Sequence, residues 1–217
     1  MKITVSYINS LYDSKKTVDL INETSADAIH VDLIDGIYAG TKNFDINHLP
    51  EIFKDNRKPI DIHMMVNRPS GYLNDLLKLK PICIYIHPST EPSAFGLLNE
   101  LNNYGIKRGL VINPDEKIPS FSHYFPYVDR VLLMSVTPGK GGQKFLDNTK
   151  DRLQELISFK KDNDFEIYVD GGINDETIKE VLNADGVISG SYICMNKDFE
   201  NRINNLRNNA IDIKDKK

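Results

Sequence analysis

The chain has 217 residues, 40% of them hydrophobic, enough to bury a full core and within the length that an α/β barrel fills as one domain. Its 27 Lys and Arg against 31 Asp and Glu give a net charge of -4 and a pI near 5.7. That balance excludes the sequence-wide positive field that draws in nucleic acid or anionic lipid, and points to a small ligand recognised locally.

Taken in chain order, short runs rich in Val and Ile predict eight strands, at residues 2–7, 28–32, 59–66, 82–87, 108–112, 130–136, 166–170 and 186–189. Between them apolar residues recur at helical spacing, at Val18-Leu20-Ile21, Leu73-Leu76-Leu77, Phe95-Leu97-Leu98-Leu101, Leu153-Leu156-Ile157 and Ile178-Val181-Leu182. Strands that alternate with helices imply a parallel sheet, and eight such units in this length predict a closed (β/α)8 TIM barrel, one α/β domain over residues 1–217. Pro114, Pro119 and Pro126 leave the fifth unit room only for a short helix near residues 117–124. The charged tail, 211–217, is expected to fray. No stretch of 18 uncharged apolar residues occurs, and polar residues break the N-terminal apolar run too early for a signal peptide, so a cytoplasmic protein with no membrane contact is expected. Cys83 and Cys194, far apart and outside any CxxC or metal-finger spacing, read as reduced, buried small hydrophobes.

In a barrel, polar residues at the C-terminal ends of strands matter most. Strand two ends His30-Val31-Asp32, and the alternation of a strand sends His30 and Asp32 to the same side. Strand three ends Asp61-Ile62-His63-Met64-Met65, and strand seven ends Val169-Asp170-Gly171-Gly172. A single His in such a place is more often a core residue, and a single Asp more often a helix cap. Two imidazoles and two carboxylates converging on one barrel mouth form a mixed nitrogen and oxygen set suited to one divalent ion, Zn²⁺, Fe²⁺, Mn²⁺ or Co²⁺. Glycines follow strands six, seven and eight, at Gly139-Lys140-Gly141-Gly142, Gly171-Gly172 and Gly190-Ser191. Any one of them could be a tight turn, but on consecutive late loops they predict a phosphate site, because glycine lets backbone N–H groups approach an anion.

These segments resemble the ribulose-phosphate 3-epimerase family. The matching stretches are HVDLIDG (30–36), DIHMMV (61–66), IHP (86–88), GLVINP (109–114), LLMSVTPGKGGQKF (132–145), VDGGI (169–173) and SGS (189–191), in the family's order over nearly the whole chain. The resemblance implies a metal-dependent, homo-oligomeric isomerase of pentose phosphate metabolism, converting D-ribulose 5-phosphate to D-xylulose 5-phosphate by two-base proton transfer at C3 through a cis-enediolate. Carried over, His30, Asp32, His63 and Asp170 match the metal ligands, and Asp32 and Asp170 the proton-transfer pair. Ser6, His63, Lys140 and the glycine segments with Ser191 fall at substrate positions, and Met65 and Met134 at the wall of the metal chamber.

The chain departs from the family at Ile34 in place of a third chamber methionine, at Ser89 where Glu is common, and at Lys140 where Phe is usual. The substrate-covering loop is also altered, reading Ile37-Tyr38-Ala39-Gly40-Thr41-Lys42-Asn43. None of these touches the four predicted ligands, so they bear on substrate more than on reaction type. A ketohexose 6-phosphate such as D-allulose 6-phosphate is therefore the alternative substrate, and a non-catalytic sugar-phosphate-binding barrel the alternative class. A phosphosugar decarboxylase would need a lysine in an Asp-x-Lys-x-x-Asp motif, and Asp32-Leu33-Ile34-Asp35 has none.

Overall fold

The computed structural model describes residues 1–40, 42 and 46–214, with 211–214 as backbone only, so Thr41 and Asn43 of the altered loop lie outside the described residues. Eight strands form a closed parallel barrel in sequence order: β1 (Lys2–Ser6), β2 (Ala28–Ile34), β3 (Ile60–Met65), β4 (Cys83–Ile86), β5 (Lys107–Ile112), β6 (Arg130–Met134), β7 (Glu166–Asp170) and β8 (Gly186–Ser189). Closure is made by β1 against β8, with Lys2 abreast of Gly186 and Val5 of Ser189. All eight predicted strands are present, because a strand covered on both faces must be apolar almost throughout, and such runs stand out in a sequence.

The alternation of side chains divides the core in two. Outward-facing residues such as Ile29, Val31, Leu33, Ile62, Met64, Val131, Leu133 and Val169 join a large cluster with the helices. A second cluster, Cys83, Tyr85, Val111, Leu132, Met134, Val136, Tyr168 and Ile188, fills the barrel itself. Gly109 and Gly186 make room for its two tyrosines: a Cβ would stand 2.4 Å from the Tyr85 ring at Gly109 and 2.3 Å from the Tyr168 ring at Gly186. Both cysteines are buried and free, as expected.

The helices are α1 (Ser14–Asn22), α2 (Leu49–Ile52), α3 (Leu73–Leu76), α4 (Ala94–Asn103), α5 (Thr149–Phe159), α6 (Ser191–Cys194) and α7 (Phe199–Lys214). Asp13 starts α1 by accepting the Lys16 N–H at 2.9 Å, and the helix buries Thr17, Val18 and Ile21. The predicted fifth unit is a 3-10 turn at Ile118–Phe121. The helix expected around Ile178 is likewise one 3-10 turn, Thr177–Glu180, since the chain between β7 and β8 is first consumed by the Gly171–Gly172 turn and by Asn174, whose Oδ1 accepts the N–H groups of Glu176 and Thr177. Ile178 and Val181 are nonetheless fully buried, so the apolar spacing was meaningful although its conformation is not α. Helical backbone runs to Lys214, past the start of the predicted frayed tail, and 215–217 lie outside the described residues. Among the described residues, no helix is long and apolar enough to cross a membrane.

Candidate active site

Strand register assembles the site. His30 lies abreast of Asp61 and Asp32 abreast of His63 in the β2–β3 pair, and Met134 abreast of Asp170 in the β6–β7 pair. One ligand atom each from His30, Asp32, His63 and Asp170 falls within 4.8 Å of all the others, a grouping that could hold a metal ion. His30 Nε2 is 3.4 Å and His63 Nδ1 3.3 Å from Asp32 Oδ1, and His63 Nδ1 is 3.9 Å from Asp170 Oδ2. Both of these ring nitrogens are buried without a hydrogen-bond partner. Buried polar atoms are rarely left so, and two of them aimed at a pair of carboxylates fit a cation.

Each imidazole is held from behind. His30 Nδ1 meets Asp61 Oδ1 at 2.5 Å, and Asp61 is itself ion-paired with Arg130 at 3.6 Å. Arg130 also binds Glu166 at 2.8 Å and lies 4.6 Å over the Tyr168 ring, so a polar column runs down the barrel axis beneath the site. His63 Nε2 meets His87 Nε2 at 2.8 Å. Carboxylate or similar partners behind a ligating histidine set its orientation and its lone pair.

The two carboxyls of the cluster are under opposite pressures. Burial works against the charged form of Asp32, but His30 and His63 overcome it and hold its pKa far below the carboxylate range. Burial, and then the charge of Asp32, push Asp170 up to about 7. Burial alone would lower His30, yet Asp32 and Asp61 on either side hold it well above the usual histidine value, so without a cation the cluster attracts a proton in its place. Burial lowers His63, and burial with His63 nearby lowers His87 far enough to keep it neutral.

A cavity of about 750 Å³ opens over the cluster, lined by Ser6, Asp32, His63, Met65, Met134 and Asp170 together with 139–142, Gly171, Gly172, Gly190 and Ser191. Every predicted site residue except His30, which is fully buried behind Asp32, therefore faces one space. Ser6 Oγ donates to Asp32 Oδ2 at 2.7 Å. Gly171 (φ 113) and Gly172 (φ 64) adopt a backbone that L side chains avoid, and a Cβ on Gly171 would stand 2.3 Å from Val136. The loop after β6 is braced by Gln143, which donates to the carbonyls of Thr137 and Lys140.

Sequence reasoning missed four contributors. Asp61 was legible, two residues before His63 and so on the same side of β3. Asn9 bridges the β1, β6 and β8 loops, donating to Ser191 Oγ at 2.9 Å while packing where a Cβ on Gly141 would stand. Tyr38 Oη lies 3.0 Å from His87 Nδ1 and accepts from Asn113 Nδ2 at 2.9 Å. Nothing in the local sequence marks Asn9, and His87 and Tyr38 stand out only as members of a matching segment and an altered loop, because their contacts come from loops that meet only in the fold.

The family model described as the ribulose-phosphate 3 epimerase family matches residues 2–194. A ribulose-phosphate 3-epimerase of Helicobacter pylori (strain ATCC 700392 / 26695) is 37% identical over 190 residues, covering 85% of this chain and 87% of the relative. One from Bacillus subtilis (strain 168) is 29% identical, covering 86% and 88%. Among solved structures, 3-hexulose-6-phosphate synthase from Salmonella typhimurium superposes with a TM-score of 0.69 at 14% identity, covering 98% of this chain and 99% of its own, a likeness of fold alone. The strand-end cluster, the late glycine loops and these relatives agree that the chain belongs to the ribulose-phosphate 3-epimerase family.

Proposed function

We propose that the protein interconverts D-ribulose 5-phosphate and D-xylulose 5-phosphate, moving a proton at C3 between substrate and two carboxyl groups, Asp32 and Asp170. The reading rests chiefly on one observation: two partly buried carboxyls, Asp32 and Asp170, stand in one cluster with His30 and His63 and open into the same cavity. Epimerisation next to a carbonyl requires a base that removes the proton from one face and an acid that supplies one to the other. Asp32 is suited to accept the C3 proton and Asp170, whose pKa in the metal-free site is pushed up to about 7, to return one from the opposite side; the reverse reaction exchanges the roles. Because both belong to one coupled cluster, their titration belongs to the site as a whole.

His30, Asp32, His63 and Asp170 would hold a divalent ion, zinc, iron, manganese or cobalt, which when bound supplies fixed positive charge favouring the enediolate form of the substrate. Ser6 holds Asp32 in place through its hydroxyl. The glycines at 139, 141, 142, 171, 172 and 190, with Lys140 and Ser191, would take the phosphate, while Met65 and Met134 keep water from the reacting carbon. The two buried free thiols suit a reducing, cytoplasmic setting. The altered loop at 37–43 favours D-allulose 6-phosphate as the second substrate to try. Solvent deuterium uptake at C3, measured on metal-loaded enzyme with both ketose phosphates, tests the reading. Exchange into the pentulose supports it, preference for the hexulose transfers it to that substrate, and no exchange with either overturns it.

A further inference from the structure

We propose that His87 and Tyr38 are positioning residues that set the tautomer of His63, so that its Nδ1 lone pair, and not an N–H, points at the two carboxylates. The inference rests on the reading of the cluster as a cation site. A neutral imidazole carries one N–H and one lone pair. Nδ1 of His63 is the atom 3.3 Å from Asp32 and 3.9 Å from Asp170, so binding a cation there requires the proton on Nε2. That proton faces His87 Nε2 at 2.8 Å, which must then be the acceptor, and so His87 carries its own proton on Nδ1. His87 Nδ1 is 3.0 Å from the Tyr38 oxygen, whose lone pairs receive it along with the N–H of Asn113 at 2.9 Å.

The same contacts permit one other arrangement. If Tyr38 donates its O–H to His87 Nδ1, His87 donates from Nε2 to His63, and His63 then presents Nδ1–H to the carboxylates and cannot ligate. Each ring holds one proton in both arrangements, so the chain shifts register without a change of net charge. Cation binding therefore selects an arrangement that ends on Tyr38, in the loop after β2, where Asp35 accepts the Ile37 and Tyr38 N–H groups and Ala39 packs against Gly139 of the loop after β6. Tyr38 and the lone pair at the cavity floor are thus joined by two hydrogen bonds.

The test measures Co²⁺ affinity by chelator competition, read from the visible spectrum of the bound ion and independent of turnover. Loss of a partner behind a metal ligand typically weakens binding about 10–100-fold. H87L, which leaves the His63 Nε2–H without an acceptor, should fall in that range, and Y38F near its lower end. H87Q, whose amide oxygen can accept that proton, should recover most of the affinity lost in H87L. Long-range ¹H–¹⁵N spectra of the wild-type zinc form should show His63 protonated at Nε2 and His87 at Nδ1. Wild-type protein that binds no Co²⁺ would overturn the cation reading and the relay with it. Wild-type binding with H87L equally tight, H87Q as weak as H87L, or His63 protonated at Nδ1 in the zinc form would overturn the relay alone, and Y38F binding like wild type would remove Tyr38 from it.

Discussion

Asp32 and Asp170 share a cluster but not an environment, and in the proposed reaction that difference separates their roles. Asp32 has an imidazole on each side and the Ser6 hydroxyl on its outer oxygen, all of which favour the charged form. Burial and the charge of Asp32 instead push Asp170 up to about 7, and its His63 contact is the longer one at 3.9 Å. Replacing either by Asn preserves shape but removes proton transfer, which typically contributes about 10²–10⁴-fold. D32N and D170N should each lose at least that much kcat while their circular dichroism is unchanged; a variant keeping a tenth of wild-type turnover would contradict the two-base scheme. These two Asp and both histidines of the cluster were legible in the sequence, because strand alternation and position at a strand end are local properties. His87 was visible only as part of a matching segment, since its role depends on Tyr38, 49 residues away in sequence.

At the scale of elements, the strands were legible and the helical connections less so. A strand buried on both faces needs nearly every residue apolar, whereas a short connection must satisfy loop, turn and helix in few residues, and the loop takes precedence at 171–178. Inside the barrel the tyrosines and glycines are complementary: Tyr168 occupies the space left by Gly186, and Tyr85 that left by Gly109. Gly186→Ala should therefore overpack the interior and destabilise by about 1–3 kcal/mol, seen as a lower denaturant midpoint with unchanged slope; a stability equal to wild type would show that the ring moves freely aside. On the outer surface, Asp13→Ala removes the α1 cap and should cost about 1 kcal/mol with no change in kcat, a useful contrast because the cap lies outside the residues lining the cavity.

For the whole molecule, the buried cluster ties stability to cation and pH. A cation that binds only the folded chain, at 100 times its Kd, adds about 2.7 kcal/mol, which at this size corresponds to a Tm increase of roughly 5–10 °C. A thermal scan showing no change with zinc, manganese or cobalt would argue against a metal site. In chelator-treated protein, folded Asp170 keeps its proton to about pH 7 while an unfolded Asp loses it near the ordinary value of 3.8. Folding then takes up a proton between these limits, so stability falls as pH rises through that window, and His30, also raised, continues the fall above it. D170N should flatten the fall between about pH 4 and pH 7 and raise the Tm of the metal-free protein at pH 7; an unchanged slope would mean that the carboxyl is ionised in the fold.

The most direct test of the central claim is incorporation of solvent deuterium at C3 of D-ribulose 5-phosphate by the metal-loaded protein. Two-base transfer predicts that D-xylulose 5-phosphate forms with deuterium at C3, and that both D32N and D170N suppress its formation. Product formed without solvent deuterium in single-turnover conditions, or formed at wild-type rate by either variant, would contradict it.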